Sequence, residues 1–168
     1  MALKRSSSTI SIGASVTESG ANTFTQTEID LQLNPLDNEV FVVQAVNLDL
    51  QAPDGIAATN TQVRGSLSST SLTSFGTLTN SNVLAVARDD IRAAGFADGG
   101  VGFSSAAGET VPATLDYIGI ISTNNFFLQV VGTGNAGAKN MAARVYGYRA
   151  KADAATYAAL VQSEVLSA

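Results

Sequence analysis

The chain has 168 residues, a length that can bury one core without metal or disulfide support, and it contains neither cysteine nor histidine. Those two absences exclude a disulfide framework, a thiolate nucleophile, a cysteine-ligated zinc or iron–sulfur centre and the commonest general base, leaving carboxylates, Tyr, Lys and hydroxyls for chemistry. The net charge of −5 argues against a whole-surface nucleic-acid binder, and a charged content of 14%, against roughly 25% in ordinary soluble domains, predicts a surface that is covered in an assembly or faced with neutral hydroxyls.

Residues 1–22 are rich in Ser, Thr, Gly and Ala, with only Ile10, Ile12 and Val16 in weak alternation. Too apolar-poor to build a core, the segment is read as a flexible N-terminal arm whose Ile10 and Ile12 add a short strand to a neighbouring subunit; the alternative is a frayed terminus. Lys4 and Arg5 are not followed by the apolar stretch of a secretory signal, so export by that route is not expected. No run approaches the roughly 20 apolar residues of a membrane-spanning helix.

Residues 23–152 read as an antiparallel β-sandwich. From Phe24, Thr25, Thr27, Ile29, Leu31 and Leu33 alternate with Gln26, Glu28, Asp30 and Gln32, a half-exposed strand ended by Asn34-Pro35. The next run, residues 39–51, puts Val40, Val42, Val46, Leu48 and Leu50 on one side and Phe41, Val43 and Ala45 on the other, so its first half should be buried on both faces. Pro53, Asp54 and Gly55 turn the chain. Residues 59–78 are dominated by Ser and Thr, which favours exposed strands or ordered loops over helix. A short strand is expected over 82–87, one helical turn capped at Asp89, and an irregular loop over Gly95, Gly99, Gly100 and Gly102.

A further strand is expected over 114–122, starting after Pro112. Residues 125–151 then carry two period-two runs joined through Gly132, Gly134, Asn135, Gly137 and Asn140, which predicts a β-hairpin. Seven or eight strands with no helical crossover long enough for a parallel unit make the sandwich antiparallel. Residues 153–168 predict a C-terminal helix, with Asp153 as N-cap and Tyr157, Leu160, Val161 and Val165 on one face, too short to stand without a docking surface.

The motifs that could carry chemistry are weak. The Gly132–Gly137 stretch GTGNAG is not followed by a helix that could present its N-terminus to phosphate, so a plain connection is preferred to a nucleotide site. Asp89 and Asp90 lie beside Arg88 and Arg92 and read as a salt-bridge cluster, since sequence neighbours point apart and no calcium-loop pattern surrounds them. Asp49, Asp54 and Asn60 could line a calcium loop but are equally ordinary turn residues. Arg144, Tyr146, Tyr148, Arg149 and Lys151 set basic and aromatic groups on one strand, used on single-stranded nucleic-acid platforms but here better suited to a protein interface. The candidate interface is therefore Ile10, Ile12, Arg144, Tyr146, Tyr148, Arg149, Tyr157, Leu160, Val161 and Val165. No catalytic residue, cofactor site or metal site is assigned, and no enzymatic activity is expected.

A Ser/Thr-rich arm, about eight antiparallel strands with long polar loops, low charge, and no Cys or His make this chain similar to the small single jelly-roll coat proteins of icosahedral viruses. The group it most resembles builds the shells of tailless, membrane-containing viruses of bacteria and archaea. That resemblance implies a single jelly roll of about eight strands with a short C-terminal helix, made in the host cytoplasm and residing in the virion. It implies copies of itself as partners, with other coat proteins and an underlying viral membrane as further ones, and neither sequence-specific nucleic acid nor a small-molecule substrate. Two alternatives remain open, a strand-donating subunit of an extracellular filament and a carbohydrate-binding β-sandwich, since a jelly roll alone does not fix function.

Overall fold

A computed structural model describes residues 3–107 and 115–168. In chain order its elements are β1 (Leu3–Arg5), β2 (Ile10–Thr17), β3 (Thr25–Asp30), a 3-10 turn (Pro35–Asp37), β4 (Glu39–Leu50), β5 (Thr61–Ser68), β6 (Val83–Arg92), β7 (Val101–Ala107), β8 (Gly119–Ile121), β9 (Asn125–Thr133), β10 (Asn140–Ala152) and α1 (Ala154–Leu166).

The strands form two antiparallel sheets. In the first, β10 is central, with β4 and then β8 on one side and β2 and β1 end to end on the other; the second runs β3-β9-β5-β6-β7. Setting aside β1 and β7, which extend edges, the orders are 2-10-4-8 and 3-9-5-6, and every connection but β5 to β6 changes sheet. This is the double Greek key of a single jelly roll. The expected fold class is thus the observed one, down to the C-terminal helix.

Between the sheets lies one core, built by alternate residues: Met141, Ala143 and Val145 of β10, Val63 and Leu67 of β5, Phe126, Leu128 and Val130 of β9, and Ala85 and Ala87 of β6. Full burial of an aliphatic or Phe side chain contributes about 1.5–3 kcal/mol, so this interior is the main stabilising term. In β4 the phase of alternation changes midway. Tyr146 pairs with Ala45 and Gly147 with Val43, so Gln44 is an extra residue, a β-bulge. Phe41 and Val43 point inward before it and Val46, Leu48 and Leu50 after it, whereas Val40 and Val42 face the opposite way. The grouping of Val40 and Val42 with Val46 and Leu48 expected from strict alternation is corrected by that one residue. Opposite the bulge, a side chain on Gly147 would meet the Val42 carbonyl and come within 2.8 Å of the Phe41 ring, so the close approach of β10 to β4 requires glycine.

Several other sequence expectations are corrected. Residues 125–151 are not a hairpin: β9 pairs with β3 and β5, and β10 with β1, β2 and β4, so the glycine-rich connection crosses from one sheet to the other. Both strands alternate, but each finds non-local neighbours on its two sides instead of the other. The expected helical turn at Asp89 is the continuation of β6. The Ser/Thr-rich stretch contains β5, an interior strand of its sheet with Ser66 and Ser68 buried. Of the strand expected over 114–122 only Gly119–Ile121 is paired, and its expected start at Pro112 and Thr114 lies outside the described residues.

Residues expected to form a flexible arm are two strands of the first sheet. β2 runs antiparallel to β10 from Ile10 opposite Gly147 to Thr17 opposite Asn140, and β1 pairs with the end of β10. Sparse apolar residues suffice because only one face of an edge strand meets the core: Ile10, Ile12, Ala14 and Val16 line it, and Ser11, Gly13, Ser15 and Thr17 are exposed.

Candidate assembly surfaces

The outer face of the first sheet is divided in two. At one end α1 lies across it, with Tyr157 and Leu160 packed on Val40, Val42 and Ala150, joined by Leu3, Ile120 and Tyr148. Asp153 caps the helix by accepting from the Thr156 N–H at 2.8 Å, which holds its carboxyl below the usual range. Farther along, Glu164 turns inward, 8% exposed, and accepts from the Ser122 N–H at 2.7 Å, the Thr123 hydroxyl at 2.7 Å, the Thr123 N–H at 3.2 Å and the Ser122 hydroxyl. A carboxylate satisfied by four donors locks the helix to the β8–β9 turn. Val161 faces a cleft of about 280 Å³ lined also by Leu33, Pro35 and Tyr157.

Beyond the helix no element among the described residues covers the same face. Arg144 lies between Gly13 and Asn47 in register, and Tyr146 between Ser11 and Ala45, with Arg144 exposed and Tyr146 half-buried. Both flank a shallow recess with Asn47 and Asp49. Tyr148 is covered from outside by the Arg5 guanidinium, 4.3 Å from the ring centroid. Arg149 is committed within the subunit: it donates to the Leu31 and Gln32 carbonyls at 2.9 and 3.0 Å and pairs with Glu39 at 3.1 Å.

The ten residues expected at an interface thus separate. Ile10 and Ile12 pack on the core, Tyr157 and Leu160 on the chain's own sheet, and Tyr148 and Arg149 are engaged internally, because strand and helix faces that look unpartnered in sequence find partners in the fold. Val161 faces the cleft beside Leu33 and Pro35, and Arg144, Tyr146 and Val165 remain presented outward. Alternation identified which side chains share a face; it could not say whether that face is covered.

The exposed apolar side chains that sequence reading passed over concentrate elsewhere. Of nine large hydrophobic residues exposed among the described ones, Phe96, Val101, Phe103, Leu115 and Tyr117 all belong to the long excursion between β6 and β8. The rest are Leu36 and Leu78 on connections and Val165 and Leu166 at the end of α1. The excursion also supplies β7, an edge strand without charge or proline, the kind of edge that leaves a row of backbone groups ready for pairing. Apolar residues within a glycine-rich stretch were the available signal.

At the opposite end of the sandwich from α1, the loops are tied by polar groups. Glu18, 4% exposed, accepts from the Gly132 and Lys139 N–H groups at 2.6 and 2.7 Å. Asn135 exchanges bonds with Asn22 and accepts from the Asp54 N–H, and the Lys139 ammonium sits 2.6 Å from the Asp54 carboxylate. That hydrogen bond from Lys139, with the Ala136 N–H, lowers the Asp54 pKa. Asp54 is therefore already served, Asn60 accepts from the Ala93 and Ala94 N–H groups, and Asp49 lies on the outer face of β4, so the three do not form a calcium loop. Among the described residues no three carboxylates converge on a metal position, and no helix is long and apolar enough to cross a membrane. Asp89 accepts from Ser104, while Asp90, 4% exposed, is paired with Arg88 at 3.0 Å.

No protein-family model matches the chain, and no curated protein is significantly similar to it in sequence.

Proposed function

We propose that this protein is a structural subunit of an icosahedral virus shell, assembling with copies of itself in the virion. The observation that carries the reading is the pairing of a complete single jelly roll with a concentration of exposed apolar residues on one excursion, Phe96 to Tyr117, on a charge-poor chain. Isolated exposed apolar residues are ordinary; five on one segment, two of them on an edge strand that carries neither charge nor proline, suit burial between subunits. Other coat proteins and an underlying membrane are further partners in this reading, and catalysis has no part in it. The filament alternative is disfavoured because β2, the strand that would be donated, is already paired along its length with β10.

Negative-stain electron microscopy of the purified protein tests this. Closed shells are expected, and Phe103→Asp with Val101→Asp should leave folded subunits that no longer close. Fibres, or small particles at every concentration, would replace the shell reading with a filament or a sugar-binding module.

A further inference from the structure

The outer face of the second sheet holds a positive charge that the fold does not serve. On β5 the outward residues are Gln62, Arg64, Ser66 and Ser68, and Arg64 stands directly opposite Arg88 of β6. Like charges in register on adjacent strands repel, and a guanidinium stays charged at any working pH. Arg88 has Asp90 as its partner at 3.0 Å. Arg64 has none among the described residues: its Nε is buried without an acceptor, and its guanidinium lies over the Phe75 ring at 4.7 Å from the centroid. Phe75 belongs to the loop between β5 and β6, which folds back over this face, so the charge is partly withdrawn from water as well as unpaired.

Arg64, Arg88, Phe75, Thr77 and Ser105 line a recess of about 280 Å³. That is at the lower limit of small-molecule pockets, which restricts an occupant to a compact group. Its lining is two guanidinium groups, an aromatic wall, two hydroxyl-bearing residues and the apolar Val86 and Ala87. Asp90, the carboxylate nearest in register, is shared by Arg88, Gln62 and, at 3.9 Å, Arg92, so positive charge remains in excess.

From this we infer that the recess between Arg64 and Arg88 binds a compact oxyanion, a carboxylate or a phosphate. One oxygen pair would meet the donors of Arg64, Arg88 would supply the second charge, and Ser105 lines the recess with a hydroxyl, whereas the Thr77 hydroxyl is engaged with Thr79 and Asn80. The Phe75 stack fixes the plane of the Arg64 guanidinium, so the site favours a ligand that accepts in that plane. An anion here would relieve the cross-strand repulsion and so stabilise the subunit. The inference stands independently of the shell reading.

The test is thermal unfolding of the full chain titrated with sodium phosphate and, separately, sodium acetate, each at constant ionic strength against chloride. A saturable rise in Tm of roughly 5–10 °C at a hundredfold excess over Kd is expected with at least one of them. A rise with phosphate alone assigns a phosphate-type ligand, and a rise with acetate a carboxylate. Arg64→Met should abolish the rise and Arg64→Lys should weaken binding at least tenfold, the fork being lost and the charge kept. Arg88→Met, at a half-exposed position, gives a second variant should Arg64→Met not fold, and it too should lose the response. An equal rise with chloride, no rise with either anion, or an unchanged response in the Met variants would overturn the site.

Discussion

The two outer faces of this sandwich are covered by opposite means. On the first sheet, α1 lays Tyr157 and Leu160 on Val40, Val42 and Ala150, an apolar contact closed by one buried carboxylate, Glu164. On the second, the loop of residues 69–82 covers a polar ladder: Ser66 donates to the Gln129 Oε1 at 2.8 Å, the Gln129 amide donates to Gln26 and Ser68, and the Leu72 N–H donates to Gln26 at 2.8 Å. Gln129 is fully buried on what would otherwise be a solvent face. The first cover gains stability mainly from area removed from water; the second gains little per bond and is costly to leave half made. The helix should therefore fail in proportion to lost apolar contact, and the loop as a unit once one partner is missing.

Placing charge under the helix should have the largest effect. Leu160→Asp with Val161→Asp is expected to destabilise the isolated subunit by about 2–4 kcal/mol, a fall in Tm of roughly 4–16 °C, because both positions are half-buried and the apolar contact of Leu160 with Val40, Val42 and Ala150 is lost to unpaired charge. Thermal unfolding followed by circular dichroism measures it. An unchanged Tm combined with lost assembly would mean that α1 packs on a neighbour in solution, and the contrast between the two faces would collapse.

Gln129→Leu probes the other cover. It preserves volume but leaves Ser66, Ser68 and Gln26 short of partners, for a loss of about 1–3 kcal/mol in urea unfolding. Proteolysis should also begin within residues 69–82 in this variant. A neutral or stabilising result would show that the loop does not depend on the Gln129 ladder.

The smallest effect is expected away from both faces. Asp54→Asn removes the ion pair with Lys139 that helps hold the sheet-crossing loop. Because the folded-state pKa of Asp54 is lowered, its contribution is present above the unfolded value of about 3.9 and is lost as pH falls through the folded one. The stability difference between wild type and Asp54→Asn should thus be modest at pH 7 and vanish in acid. A difference that persists at pH 2 would assign the effect to the Asn135 network instead.

Glu164 and Gln129 show why the covers were not equally visible from sequence. The helix was marked by its 3.6-residue stripe and its Asp153 cap, and double burial of the first half of β4 predicted that something lies over Val40 and Val42. Nothing local marked Gln129 as buried, since its partners Gln26, Ser66 and Ser68 are 103, 63 and 61 residues away.

By itself the sequence determined the class of the fold: period-two alternation, turn residues at Pro35, Pro53 and the glycine-rich connections, and the absence of crossover helices leave an antiparallel sandwich closed by a helix. These signals are local, set by where successive side chains point. Tertiary structure alone decided that β9 and β10 part into different sheets, that residues 10–17 complete the edge beside β10 rather than reach for a neighbour, and that Gln44 reverses the inward phase of β4. Strand partners are chosen by which edges can bury apolar residues and satisfy backbone groups across the whole domain, a competition among distant segments that alternation within any one of them does not record.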